Sequence, residues 1–178
     1  FYLADGFKKT HIGNKNMVDD KKTLSGTVSF LTSEAFKYHQ KGNLKEAKNI
    51  YEQILKHKPM HFDALQLLGM LYGQINEKDK AIKLLELALQ IKPDNAATLN
   101  NYGVILTEVN RTNDSYEVLD KATNIKPDYA EAYSNKGNAL KLLGKYDDAV
   151  KAYSKAIQLK PNYAEAYNNR GVIYKELN

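Results

Sequence analysis

The sequence predicts an all-α protein, a right-handed superhelical solenoid of antiparallel helix pairs. The first observation is the spacing of the prolines, which recur every 34 residues, each after a lysine: Pro59, Pro93, Pro127 and Pro161. The second is a set of small residues on the same period: Gly69, Gly103, Gly137 and Gly171. The third is that apolar residues recur at helical spacing twice within a period. A period of this length is typical of stacked helical units that bury their apolar faces only against one another.

The units follow from taking each proline as position 32. Four complete units span 28–61, 62–95, 96–129 and 130–163, and a partial unit spans 164–178. Residues 1–27 lie outside the period, and we expect them to form a polar leader that is partly disordered.

The fourth unit illustrates how the two helices are predicted. A first helix is expected from Ala130 to Leu143 and is ended by Gly144, and a second is expected from Tyr146 to Leu159. Pro161 then blocks continuation, because it has no N–H group for the helical hydrogen bond. The residues that follow the prolines are predicted N-caps of the next helices: Asp94, Asp128 and Asn162.

Composition and charge exclude several classes of protein. The net charge is +5, but the lysines are dispersed and Arg111 and Arg170 are the only arginines, so we expect no nucleic-acid binding. No stretch approaches the ~20 apolar residues of a membrane helix, so no membrane insertion is expected. The absence of cysteine fits a reducing compartment, and we expect a cytoplasmic location.

No constellation of residues predicts an enzyme, a cofactor or a metal site. His57 and His61 are four residues apart, but Pro59 separates them and Lys58 stands where zinc proteases have glutamate. The adjacent Asp147 and Asp148 lie at a helix start, where the helix dipole explains them. This segment is therefore predicted to be non-catalytic, although a catalytic domain after Asn178 stays open.

Seven residues of the fourth unit occupy the small, large and proline positions of a known repeat: Tyr133, Gly137, Leu140, Ala149, Tyr153, Ala156 and Pro161. On these positions residues 28–178 resemble the tetratricopeptide repeat family. Departures are Lys136 and Arg170, where the family has leucine, and Ala35, where it has glycine; the two charged ends are expected to reach solvent. The resemblance implies a concave groove lined by positions 2, 5, 6, 9, 12 and 13 of the first helices.

Position 6 of the last three units is asparagine, at Asn101, Asn135 and Asn169. An amide offers both a donor and an acceptor, as a peptide backbone does. The run 132–141 resembles the superhelical repeats of protein O-linked N-acetylglucosamine transferases, in which an asparagine ladder holds substrate peptides. We therefore predict peptide binding by these three residues and by three other groove residues: Asn138, Lys141 and Glu131. The alternative is that the asparagines are tolerated surface residues copied by duplication.

A clamp for a C-terminal carboxylate, used by chaperone-binding members of the family, is not expected. Its cations would fall at Glu131 or Glu165, and both would repel an anion.

The predicted function is a scaffold or substrate-recognition module that binds a protein or an extended peptide in its groove. One alternative is a structural oligomerisation module that self-associates through its last helix, on which five residues are predicted to be exposed: Ala166, Tyr167, Ile173, Tyr174 and Leu177. Another is the N-terminal repeat region of a larger glycosyltransferase-like enzyme.

Overall fold

The computed structural model describes the backbone of residues 17–176 and the side chains of residues 26–176. This part of the chain forms nine α-helices and no strands: α1 (Met17–Gln40), α2 (Leu44–His57), α3 (Phe62–Gln74), α4 (Lys78–Ile91), α5 (Ala96–Glu108), α6 (Thr112–Ile125), α7 (Ala130–Leu142), α8 (Tyr146–Leu159) and α9 (Ala164–Glu176). The all-α prediction is confirmed. The first helix begins at Met17, inside the segment predicted as a leader, and residues 1–16 lie outside the described range.

The helices stack as pairs into a curved array. Each odd-numbered helix packs against the even-numbered helix that follows it, and each even-numbered helix packs against the next odd-numbered one. The odd-numbered helices also contact one another directly, whereas within residues 17–176 no such contact joins successive even-numbered helices. The stack is therefore tighter on the side of the odd-numbered helices, which form the concave surface.

One turn shape recurs between the two helices of every complete unit. Gly42, Asn76, Asn110 and Gly144 all stand at position 15 and have φ between 62° and 77°. Glycine and asparagine tolerate this left-handed conformation better than other residues, because other side chains crowd the backbone there. After the turn the Glu77 N–H donates to the Tyr72 carbonyl at 2.8 Å and so caps the end of α3.

The predicted N-caps are wrong by one residue. The Asn95 N–H donates to the Lys92 carbonyl at 3.3 Å, so Pro93 and Asp94 occupy the centre of a β-turn. The cap of α5 is Asn95, whose Oδ1 accepts the Thr98 N–H at 2.9 Å. Because the turn takes up the residue after the proline, the cap comes one residue later.

The small residue at position 8 makes room for a large side chain on the second helix of the same unit. A Cβ added to Gly103 would lie 2.5 Å from Cγ of Leu119, and one added to Gly137 would lie 2.7 Å from the Tyr153 ring. Both large side chains are fully buried. The helices therefore approach closely at these small residues, as predicted. This close approach depends on the absence of a side chain at Gly103 and Gly137.

Successive units are also joined by polar contacts that the sequence did not reveal. The residue at position 25 of each unit lies on the second helix and accepts a hydrogen bond from the first helix of the next unit. The four bonds are Tyr72 Oη to Glu52 (2.7 Å), Tyr102 Oη to Glu86 (2.7 Å), Lys136 Nζ to Asp120 (2.5 Å) and Arg170 to Ser154 (2.9 Å). The charged ends of Lys136 and Arg170, which were expected to reach solvent, are bonded at an interface between units, and both residues are half-buried. Burial raises the pKa of Tyr72 and of Tyr102 to about 12, so both hydroxyls stay protonated donors at neutral pH.

In α9 the buried side chains differ from those that were predicted. Ala166 and Ile173 were expected to be exposed, but both are fully buried against α8 in one apolar cluster. Tyr167 and Tyr174 are exposed at 45% and 49%. The reason is helical spacing: positions 3 and 10 face the preceding unit, and position 4 faces the other way. Leu177 lies outside the described residues.

Candidate functional site

The concave surface contains two adjoining cavities in its N-terminal half. The larger, of about 400 Å³, lies between α1 and α3, and the second, of about 240 Å³, lies between α3 and α5. Their walls come largely from positions 2, 5, 6, 9 and 13 of the first helices. Asn101 lines the second cavity, together with Met70 and Val104.

The predicted asparagine row lies on successive first helices. Asn101, Asn135 and Asn169 are each half-buried and stand at the same position of α5, α7 and α9. The other predicted residues, Glu131, Asn138 and Lys141, are half-buried on α7.

Two of the row's amides are already bonded to a neighbouring amide. Asn135 Nδ2 donates to Asn100 Oδ1 at 2.9 Å, and Asn169 Nδ2 donates to Asn138 Oδ1 at 3.0 Å. A primary amide has two N–H groups and one carbonyl, so each of these bonds leaves one N–H and the Oδ1 for a ligand. The bonds fix the plane of both amides before a ligand arrives.

Asn100 and Asn138 therefore hold the amides of Asn135 and Asn169 in place and support the asparagine row. Asn100 is 6% exposed, and sequence reasoning gave it no role. Asn138 Oδ1 also accepts the Tyr153 hydroxyl at 2.7 Å, and burial raises the pKa of Tyr153 so that it stays a donor. Asn138 was predicted to bind peptide directly, and in this geometry its carbonyl is occupied by two protein donors.

Glu131 keeps a negative charge at the groove. Its carboxylate accepts a hydrogen bond from Lys160 Nζ at 3.1 Å. The pKa of Glu131 lies below its ordinary value because of a hydrogen bond from its own backbone N–H and then because of Lys160. Glu165 holds the equivalent position in the first turn of α9 and is exposed. Glu165 would oppose an anionic ligand at this part of the surface, whereas Lys160 offsets the charge of Glu131.

The larger cavity was not predicted. Ser33 and Leu67 hold position 6 in the first two units, where the asparagine row is absent, and both line this cavity, as do Phe36 and Asp63. The signal that could have found it is position 9, which is apolar at Phe36, Met70, Val104 and Val172 and is asparagine at Asn138. The N-terminal half of the groove thus contains the two cavities, and its amide-rich C-terminal half contains Asn135, Asn138 and Asn169.

The histidine pair stands on either side of the break between α2 and α3. His61 caps α3, since its Nδ1 accepts the Ala64 N–H at 3.3 Å. Among the described residues, no three histidine, cysteine or acidic side chains are grouped as a metal site would need. Over the same residues, no helix has the length and apolar character to cross a membrane.

Family models match most of the array. A model described as "Tetratricopeptide repeat" matches residues 38–89 and 79–138, and one described as "TPR repeat" matches residues 137–178. Among curated proteins, none matches this sequence.

Solved structures of two kinds are similar to this chain. A crystal structure of MamA protein has a TM-score of 0.74 at 26% identity, covering 85% of this chain and 82% of that chain. The RS-1 ArsTM double mutant of MamA has a TM-score of 0.76 at 16% identity and 85% coverage of each chain, a likeness of fold alone. The first TPR of Spaghetti (RPAP3), bound to the HSP90 peptide SRMEEVD, has a TM-score of 0.62 at 26% identity, covering 64% of this chain and 90% of that chain.

Proposed function

The chain belongs to the tetratricopeptide repeat family, and we propose that it binds an extended segment of another protein along its concave groove. The observation that carries this proposal is the pair of oriented amides at Asn135 and Asn169. Each offers one N–H and one carbonyl oxygen, which match the acceptor and donor of a peptide unit. Because the amides are fixed before binding, little side-chain entropy is lost when a peptide docks.

Further features support a substrate-recognition or scaffold role. The run 132–141 resembles repeats that hold substrate peptides in protein O-linked N-acetylglucosamine transferases, so an array feeding a larger glycosyltransferase-like enzyme is one form of the proposal. Since cysteine is absent, a reducing compartment such as the cytoplasm is part of it.

Replacing Asn135 and Asn169 together with alanine should weaken peptide binding about 5- to 150-fold. Each direct hydrogen bond contributes about 0.5–1.5 kcal/mol, and the two are taken as independent. The probe is a fluorescent peptide enriched from a displayed random library on the wild-type protein, and the measurement is its titration by fluorescence anisotropy.

Asn124→Ala is the matched control. Asn124 is exposed on α6, and its amide donates to Asp120 at 3.1 Å, so this variant also loses one side-chain bond, away from the groove. We expect the control to bind as the wild type does. Unchanged affinity in the double variant, with circular dichroism showing an intact fold, would exclude the amides as the binding surface.

The heptapeptide SRMEEVD, bound by the Spaghetti domain, serves as a negative probe. Glu131 and Glu165 stand where a carboxylate clamp needs cations, so this acidic peptide should not bind.

A second candidate function is self-association through α9. The observation that favours this candidate is the uncovered surface of α9 at Gly171, position 8 of its unit. Nothing lies within 4 Å of a Cβ built on Gly171, whereas the equivalent glycines face a buried side chain. Tyr167, one turn before Gly171, is 45% exposed. In this alternative the exposed face packs against a second copy.

If α9 mediates self-association, analytical ultracentrifugation should show concentration-dependent oligomers that Tyr167→Ser disrupts. Met60→Ser is the control, because Met60 is 54% exposed in a turn outside α9. A monomer at every accessible concentration counts against this candidate, as does equal disruption by the control.

A further inference from the structure

Among residues 26–176, one acidic side chain and no basic one line the larger cavity. Its walls include the Phe36 ring and the Leu67 side chain, with Ser33 and Gln66 as polar neighbours. The lysines and arginines of residues 26–176 all lie outside its walls, although the chain as a whole carries +5. The ionised group in its wall is Asp63.

Asp63 and His61 both stand at the N-terminal end of α3. Asp63 is exposed in the first turn of α3, where the helix dipole favours a carboxylate. His61 Nδ1 accepts the Ala64 N–H at 3.3 Å, so this side chain is engaged in capping the helix. Phe36 is 40% exposed and lines the same cavity as the Asp63 carboxylate, so this cavity is suited to a cation with an apolar stem.

The second cavity has a different chemistry. Met70, Val104 and Ile105 line it, and its one carboxylate, Glu108, is paired with Lys78. An apolar side chain therefore fits this cavity better than a charged one, because the pairing leaves no net charge for a ligand cation to neutralise.

The distance between the cavities sets the spacing of the two ligand side chains. They lie between successive first helices, and neighbouring packed helices are about 8–10 Å apart. An extended chain advances about 3.3 Å per residue, so the two side chains should be about three residues apart.

We propose that the groove selects extended segments in which an arginine or lysine, seated against Asp63 and Phe36, lies about three residues from a large apolar residue seated against Met70 and Val104. This specificity rests on the proposed peptide-binding function, since the amide-rich half holds the backbone of the same segment. A phosphorylated side chain is disfavoured in the larger cavity, because Asp63 would repel it.

The test is a parallel selection from a displayed library of random peptides on three proteins: wild type, Asp63→Asn and Asp79→Asn. Asp79 is the matched control, since it is also an exposed aspartate in the first turn of a helix, on α4. Peptides enriched on wild type and on Asp79→Asn should carry the basic residue about three positions from the apolar one. Those enriched on Asp63→Asn should keep the apolar residue and lose the basic one.

A titration then measures the same contact directly. Replacing the arginine of an enriched peptide with its neutral isostere citrulline should weaken binding to the wild type about three- to tenfold, and should leave binding to Asp63→Asn unchanged.

The outcomes separate this proposal from the general one. If enriched peptides depend on Asn135 and Asn169 but show no basic residue, or if Asp63→Asn enriches the same sequences as the wild type, the specificity proposed here is wrong and peptide binding stands. If no peptide is enriched on the wild type, both proposals fall.

Discussion

Replacing Tyr153 with alanine should lower the free energy of unfolding by about 3–5 kcal/mol. Tyr153 is fully buried, and three of its ring carbons lie within 2.7–2.9 Å of where a Cβ on Gly137 would stand. Because Gly137 has no side chain to move inward, truncation leaves a cavity that the neighbouring helix cannot fill. The measurement is urea denaturation followed by circular dichroism, in comparison with the wild type.

Two tyrosine-to-phenylalanine variants separate the ring from its hydroxyl. Tyr153 Oη donates to Asn138, so Tyr153→Phe should cost about 0.5–1.5 kcal/mol. Tyr51 stands at the same position of the first unit, and its buried hydroxyl has no hydrogen-bond partner in the described part of the chain. Tyr51→Phe should therefore be neutral or stabilising. Equal effects of the two variants would contradict the role given to the Asn138 bond.

The period of the sequence predicted the fold because the prolines and the turn residues on it constrain the backbone locally. Pro93 cannot continue a helix wherever it stands, and Gly144 reaches a positive φ without strain. The helices of the fourth unit accordingly end within one residue of their predicted bounds, at Leu142 and Leu159.

Pairings between side chains could not be predicted in the same way. Lys136 meets Asp120, and Asn135 meets Asn100, only because adjacent units stack with a particular rotation. Nothing in the local sequence of either residue specifies that rotation. The same limit explains why Asn100 was missed as the support of the amide row.

Only part of the site was predicted, because only part of it recurs along the sequence. Asn101, Asn135 and Asn169 recur at one position, so a pattern search finds them. The larger cavity is built from unlike residues at several positions of two units, Phe36 and Asp63 among them. Such a site has no period, and it becomes visible only when the two helices are placed side by side.

Equivalent glycines should respond oppositely to the same substitution. Gly103→Leu should lower the free energy of unfolding by at least about 3 kcal/mol, since even a Cβ would lie 2.5 Å from Cγ and 2.8 Å from Cδ2 of Leu119. Leu119 is fully buried and has no room to retreat.

Gly171→Leu is the comparison, because a Cβ there meets nothing within 4 Å. Leucine is a better helix former than glycine, so this variant should be more stable than the wild type by about 0.5–1 kcal/mol. Both variants are measured by urea denaturation at one protein concentration. Destabilisation by Gly171→Leu comparable to that by Gly103→Leu would mean that the face of α9 at Gly171 is covered in solution, as packing of α9 against a second copy requires. Opposite signs would establish that the cost at Gly103 arises from the side chain opposite it and not from the loss of glycine itself.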